Sequence, residues 1–420
     1  MQHPSELKIS DFTYDLPQQH IALYPPALRG SSRLLREKDG AIYDHAFSEL
    51  PELLAEGSIL LCNNTKVVPA RLYLYRQTGA RVELLCLRPA NEQEGWDKAL
   101  QRTGSGAWVC MTGNAKRWGN DPLTLVGDGL FLQALKSPGI GEERYVEFHW
   151  KPEALSFGEI LQRAGQMPIP PYLKREAEPI DRQRYQTHYA RSSGSVAAPT
   201  AGLHFTPELW SRLDEKGIKR LELTLHVGAG TFKPVTAPTM GGHAMHSEEL
   251  TVERALLQQL AEQIQLPKTH RKPLVCVGTT TLRSLESLYW MGALLHDDDD
   301  DLPSPQAFTP YDHDKGGTKP LPDPYKALTR LIQWLDNRGL QEWKARTALM
   351  IAPGYRFRLA DQLITNFHQP GSTLLLLVAA VVGERWRDIY EHALKNDYRF
   401  LSYGDSSLLN IQPNHQWNTH

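Results

Sequence analysis

Cysteine is scarce in this sequence, with Cys62, Cys86, Cys110 and Cys276 widely spaced and no Cys-x-x-Cys pair among 420 residues. That excludes a zinc ribbon and a secreted disulfide framework, and makes reduced thiols in the cytoplasm the simplest expectation. An excess of one charge is also missing: 46 basic residues face 48 acidic ones, for a net charge of −2. No global positive field announces a nucleic acid, so any such contact must come from local patches. The longest apolar run, Leu374 to Gly383, has about half the length of a membrane span and reads as a buried core element. Met1 to Lys8 carry no basic-then-apolar export pattern, which again points to the cytoplasm. Walker loops, Gly-x-Gly-x-x-Gly, His-Glu-x-x-His and Gly-x-Ser-x-Gly are absent, and the commonest nucleotide, metal and serine chemistries are disfavoured with them.

What is present divides the chain into an α/β (α+β) protein with a β-rich insertion. Ile59 to Leu74 reads as a strand, an Asn-Asn turn and a second extended piece. Short strands with glycine turns then follow over 71–154, which predicts an inserted small β-barrel domain. Residues 1–70 and 155–420 form the discontinuous main domain. Helical periodicity over Ser156 to Ala164, Pro207 to Lys216 and Ser247 to Ile264 alternates there with short apolar runs such as Leu274-Val-Cys-Val, which implies a mixed sheet covered by helices. The stretch 296–324, with its aspartates Asp297 to Asp301 and its prolines, predicts a solvated loop or disordered insert. Helical spacing resumes over Tyr325 to Asn337.

Several polar, glycine-containing turns fall at expected strand ends. His226-Val-Gly-Ala-Gly-Thr-Phe-Lys places a histidine, two glycines, a hydroxyl and an amine on one turn after an alternating strand pattern. Alone, it is equally a plain hairpin. The small-residue run Val196 to Gly202 suits close backbone approach to a flat ligand, with Thr200 and His204 at its end; Thr206 and Pro207 also read as the cap and first turn of a helix. Met245-His-Ser-Glu-Glu sets His246 before an expected helix that Ser247 could cap. Val277-Gly-Thr-Thr-Thr-Leu-Arg opens a helix whose free N–H groups and threonines suit an anion. Arg283 either contacts ligand or pairs with Glu286 three residues on. Thr365-Asn-Phe-His carries Asn366 and His368 in the same way, and the proline-stiffened Gln166 to Leu173 ends beside Lys174 and Arg175 as linker or contact surface. Polar turns at several strand ends are what a cleft above a sheet looks like in sequence.

Taken together, these segments resemble the S-adenosylmethionine:tRNA ribosyltransferase-isomerase family of queuosine biosynthesis. The likeness runs from Asp11-Phe-Thr-Tyr-Asp-Leu-Pro and Ser32-Arg-Leu-Leu through Asn63-Asn-Thr-Lys-Val-Val-Pro-Ala-Arg-Leu and Met167-Pro-Ile-Pro-Pro-Tyr. It continues in Val196-Ala-Ala-Pro-Thr-Ala-Gly-Leu-His-Phe, the His226 and His246 turns, the Val277 helix start, Thr365-Asn-Phe-His and Tyr398-Arg-Phe-Leu-Ser-Tyr-Gly-Asp. The resemblance implies a mixed α/β domain with an inserted β-barrel. It also implies that S-adenosylmethionine is consumed as ribosyl donor to a 7-aminomethyl-7-deazaguanine at the tRNA wobble position, giving epoxyqueuosine, adenine and methionine, with no metal. The expected partners are tRNA and the donor, with no membrane and a monomer favoured. Such chemistry needs an acid and a base. Expected proton carriers are His226, His246 and His368. Expected donor contacts are Thr200, His204, Gly228, Gly230, Thr231, Thr279, Thr280, Arg283 and Asn366. Expected tRNA contacts are Arg71, Lys116, Arg117, Lys174 and Arg175. Lys66 stands where the family usually has arginine, and Thr112 to Trp118 departs from its pattern. The alternatives are therefore a paralogue acting on a free base or nucleoside, or a non-catalytic RNA-binding protein.

Overall fold

A computed structural model describes residues 3–412 apart from 92–93, 114, 120, 138–142, 229–234, 268, 297 and 317–319. Every residue of the strands Ile59–Asn63 and Leu274–Val277 is buried, the continuous apolar pattern of strands covered on both faces. They lie at the centre of a nine-stranded mixed sheet. The order across it is Glu342–Thr347, Glu248–Glu253, Lys219–His226, Ile59–Asn63, Leu274–Val277, Gln362–Asn366, Ser406–Asn410, Arg33–Lys38, Ala41–Ala46. The strands from Lys219–His226 to Gln362–Asn366 run parallel, so their C-terminal ends share one edge. Open α/β sheets bind ligands at such an edge.

Alternation along the strands divides the core. Leu61, Leu274 and Cys276 face the helices Arg254–Gln265, Thr279–Leu294, Pro324–Asn337 and Thr373–Val382, whereas Leu60, Cys62, Val275 and Val277 face Phe205, Trp210 and Leu213. Thr279–Leu294 and Pro324–Asn337 approach so closely that a methyl at Gly292 would overlap the Ala327 carbonyl. Gly292→Ala is therefore expected to lower stability by about 1–3 kcal/mol, read as a lower urea midpoint with unchanged slope. An unchanged midpoint would show that the two helices can part without cost.

The expected β-barrel is present. The strands Arg71–Tyr75, Arg81–Pro89, Ser105–Gly113, Leu123–Gly127, Leu130–Lys136 and Glu143–Lys151 close on themselves. Leu72, Leu74, Val82, Leu84 and Cys86 point inward, and Phe157 plugs one end against Trp108, Phe148 and Trp150 at ring distances of 4.9–5.4 Å. Phe157 begins the helix Phe157–Ala164, which Ser156 caps in a reciprocal box with Glu159.

Two expectations are corrected. The helical pattern taken to start at Ser247 begins with a strand, Glu248–Glu253, and the helix spans Arg254–Gln265. Leu250 and Val252 alternate with polar residues there, and pairing with strands on both sides outweighs the helical reading. The acidic, proline-rich stretch carries a helix, Thr309–Gly316, with Leu302 and Tyr311 buried. The Tyr311 hydroxyl accepts from Ala352 N at 2.8 Å, and the Trp334 indole donates to the Asp299 carbonyl at 3.0 Å. A few anchors hold a segment whose composition looked solvated; Asp297 lies outside the described residues. No helix among the described residues is long and apolar enough to cross a membrane.

Candidate active site

At the shared edge, the chain turns sharply after two parallel strands and enters helices. After Leu274–Val277 comes Gly278, at φ 96°, which only glycine adopts without strain, and then the helix Thr279–Leu294. After Gln362–Asn366 come Phe367 and His368, then Ser372, whose hydroxyl caps the helix Thr373–Val382 by accepting from Leu375 N at 3.2 Å. These turns face the run Ala197–Ala201 across a cavity of about 740 Å³, counting its solvent-open part. Thr200, Thr279, Thr280, Asn366 and His368 line it, with Tyr172 and Ser402 at its margin.

A second cavity shares the wall Thr279, Thr280 and Leu374, and adds Arg283, Glu248, His246 and the apolar Leu349, Met350 and Ile351. Arg283 forms a buried ion pair with Glu248, which also accepts from Gly228 N at 3.4 Å. Burial draws the guanidinium down to about 10, so it stays charged at neutral pH. The alternative Arg283–Glu286 pair does not form. Glu286 points instead into the amides of Arg358, Leu359 and Ala360, at 2.9, 3.0 and 3.1 Å. A third cavity separates the barrel from the sheet: Trp96, Met111 and the ion-paired Arg88 and Glu143 face His226, Gly228, His246, Glu249 and Arg346.

The expected histidines are distributed among these cavities. His368 lies in the first, its Nε2 2.8 Å from Thr365 Oγ1, and its backbone N donates to the Tyr390 hydroxyl at 3.0 Å. His226 lies in the third, with Nδ1 3.1 Å from Thr65 Oγ1. His246, exposed, borders the second and third. Burial pushes His368 down to about 3, and burial with the nearby Lys344 pushes His226 to about 4. Both are neutral at pH 7, able to accept a proton but not to begin as imidazolium acids. In both rings desolvation disfavours the charged form.

His204, expected at the donor, is buried outside the first cavity. Its Nε2 lies 3.4 Å from Asn366 Oδ1, an oxygen that only accepts, so Nδ1 accepts from the Ser32 hydroxyl at 2.7 Å. Phe47 stacks on the ring at 4.8 Å, and burial holds it near 4. Its contact with the cavity runs through Asn366. Gly228 serves Glu248 on the barrel side, and Gly230 and Thr231 lie outside the described residues.

Among the expected tRNA contacts, Arg175 is committed internally by a bidentate pair with Asp181 at 2.7 and 2.8 Å. Arg71 is likewise occupied, at 3.1 Å from Glu83 and donating to the Ile169 carbonyl at 3.2 Å, so it ties the barrel to the linker. Lys174 and Lys116 are exposed, and the Arg117 side chain lies outside the described residues. Glu248, Trp96, Arg346, Tyr172 and Ser402 were not assigned to the site from the sequence. The one available signal was the alternation from Glu248 to Glu253, which marks a strand and so fixes which way Glu248 points. Among the described residues, no group of three or more His, Cys, Asp or Glu is placed to hold a metal ion.

Known proteins resemble this chain over nearly its full length. The family model described as "Queuosine biosynthesis protein" matches residues 9–409. A protein of Anaeromyxobacter sp. (strain Fw109-5), named S-adenosylmethionine:tRNA ribosyltransferase-isomerase, is 38% identical over 96% of this chain and 99% of its own length. A protein of the same name from Xanthomonas oryzae pv. oryzae is 37% identical over 96% and 97%. A solved S-adenosylmethionine tRNA ribosyltransferase from Thermotoga maritima aligns at 26% identity and a TM-score of 0.45, over 95% of this chain and 99% of that one. With a family model covering its core from end to end and relatives matched over their whole length, this chain belongs to the queuosine biosynthesis protein family.

Proposed function

We propose that the protein is an S-adenosylmethionine:tRNA ribosyltransferase-isomerase of the cytoplasm, and that the donor spans the two cavities joined at Thr279, Thr280 and Leu374. That shared wall is the observation that carries the reading. The first cavity suits a flat base: the small Ala197–Ala201 run lets backbone approach, and Tyr172 offers a ring. The second suits an amino acid with an apolar thioether arm, because Arg283 and the start of Thr279–Leu294 meet a carboxylate while Leu349, Met350 and Leu377 meet the chain. We take 71–154 as an inserted domain that forms the far wall of the third cavity.

In this reading the ribose carbons pass to the aminomethyl group of a 7-deazaguanine in tRNA and rearrange to the epoxycyclopentane of epoxyqueuosine. The carbon–nitrogen bond to adenine and the carbon–sulfur bond to methionine break. A proton leaves the carbon beside the sulfonium, and one returns to adenine. His368, inside the first cavity, and His246, open to solvent at the cleft's other end, are the assigned proton carriers.

Incubation with S-adenosylmethionine and precursor-bearing tRNA should release adenine and methionine in equal amounts, only when that tRNA is present. Adenosylhomocysteine with methylated RNA would overturn the reading. Equal turnover with the free base would replace tRNA as acceptor.

A further inference from the structure

A small cavity next to the first one, with which it shares Ser402, is walled by Arg29, Gly30, Arg184, Tyr403 and Gly404. Its two arginines cross-brace the segments they come from. Arg29 donates to the carbonyls of Gln183 and Gln186 at 2.9 and 3.1 Å, and Arg184 donates to those of Pro26 and Ala27 at 2.6 and 3.3 Å. Among the described residues, neither guanidinium has a carboxylate within ion-pair distance, unlike Arg175, Arg212, Arg254 and Arg271. The nearby Asp181 is saturated by Arg175, Glu178 N and the Tyr403 hydroxyl. Arg182 beside them also bonds only carbonyls, those of Gln162 and Gly165.

Carbonyl partners orient these cations without neutralising them. Their fields reach their neighbours: burial, then Arg29, lower the affinity of His188 for a proton, with Glu208 opposing and Arg184 adding a smaller push. The same surface exposes large apolar groups, with Leu28 74% and Tyr24 46% accessible and Ile180 and Leu23 beside them. Arg175 covers the Tyr24 ring at 4.3 Å, which keeps that ring in place. Oriented arginines without counter-charges, beside exposed rings and aliphatic chains, match a single-stranded nucleic acid: phosphate for the guanidinium forks, unstacked bases for the apolar groups.

We propose that Arg29 and Arg184 seat a backbone phosphate of the substrate RNA beside the donor cavity, with Tyr24 and Leu28 supporting a flanking base. The inference rests on the tRNA reading above and moves the phosphate contacts away from Arg175 and Arg71. Because Ser402 borders both cavities, a phosphate seated here holds its nucleotide at the reacting ribose.

The test measures binding of an anticodon stem–loop RNA across a salt series, with S-adenosylmethionine affinity and thermal stability recorded for every variant. Arg29→Gln with Arg184→Gln should weaken RNA binding on the order of tenfold or more and flatten the log–log salt slope by about 1 to 2, while donor affinity holds. Arg29→Lys with Arg184→Lys should keep most of the slope but not the full affinity. Without any protein change, a neutral methylphosphonate beside the wobble nucleotide should weaken binding to the natural protein and cost the double Gln variant nothing further. The methylphosphonate arm decides the matter if the Gln variant does not fold. Natural affinity and slope in a folded double variant, or indifference to methylphosphonates flanking the wobble nucleotide, would overturn the arginine assignment alone. A natural protein that binds no stem–loop would overturn the tRNA reading together with it.

Discussion

Replacing Glu286 by alanine should destabilise the protein by about 5 kcal/mol, since two buried backbone N–H groups and one half-buried one each lose an acceptor at roughly 1–3 kcal/mol apiece. The carboxylate is wholly buried. One oxygen accepts from Leu359 N and Ala360 N, and the other from Arg358 N and the Tyr355 hydroxyl at 2.9 Å. Tyr355 in turn accepts from the Trp290 indole at 3.0 Å, so the helix Thr279–Leu294 grips the segment 355–360 through two side chains, Glu286 and Trp290. Burial raises the affinity of Glu286 for a proton, and the amide donors oppose that. Glu286→Gln keeps the shape and one acceptor oxygen, so about half the loss should return. Urea unfolding with both variants checks this. An alanine variant within about 1 kcal/mol of the parent would mean that water satisfies those amides. Catalysis should suffer as well, because the same helix presents Thr279, Thr280 and Arg283 to the donor cavities, and a loosened helix should raise KM for S-adenosylmethionine.

The role of Glu286 marks where sequence reasoning stops. Spacing of three on a helix made Arg283 a possible partner, but Arg283 pairs through one nitrogen with Glu248, 35 positions earlier on the strand Glu248–Glu253, and its Nε has no partner among the described residues. Local spacing carries no record of such pairings. Local grammar was reliable where it was self-contained: Thr206 with Pro207 and the glycine at 278 start helices as their chemistry requires. The barrel was legible because closely spaced short strands leave few alternatives. The strand at Glu248–Glu253 was missed because six apolar residues in the following helix dominate any window that includes both. Arg175 illustrates the same limit at the surface: a basic residue beside prolines looks available, until folding brings in Asp181. Environment was the least visible property of all. His226 and His368 read as proton carriers near neutrality, and burial holds both as neutral rings.

That burial gives the protein a steep acid limit. The folded state holds His204 and His226 near 4 and His368 near 3, against about 6.5 in an unfolded chain. A base with a lowered affinity for protons contributes stability that is complete above about pH 6.5 and is lost as pH falls, because the unfolded chain takes up protons that the folded one refuses. Three such sites together cost roughly 4 kcal/mol per pH unit once the unfolded chain is fully protonated, and on the order of 6 kcal/mol by pH 5. That approaches the whole stability of an ordinary protein, about 5–15 kcal/mol. Glu286 and Asp405, held above their usual range by burial, act with the opposite sign. Urea midpoints should therefore stay level from pH 8 to 7 and fall sharply between 6.5 and 5. His368→Gln should remove about a third of that slope. A flat profile down to pH 5 would mean that these rings are hydrated and titrate normally. Activity gives an independent reading of the same groups: with His368 already neutral, kcat should show no titration near pH 6.5 from that ring, and its acid limb should coincide with the loss of fold.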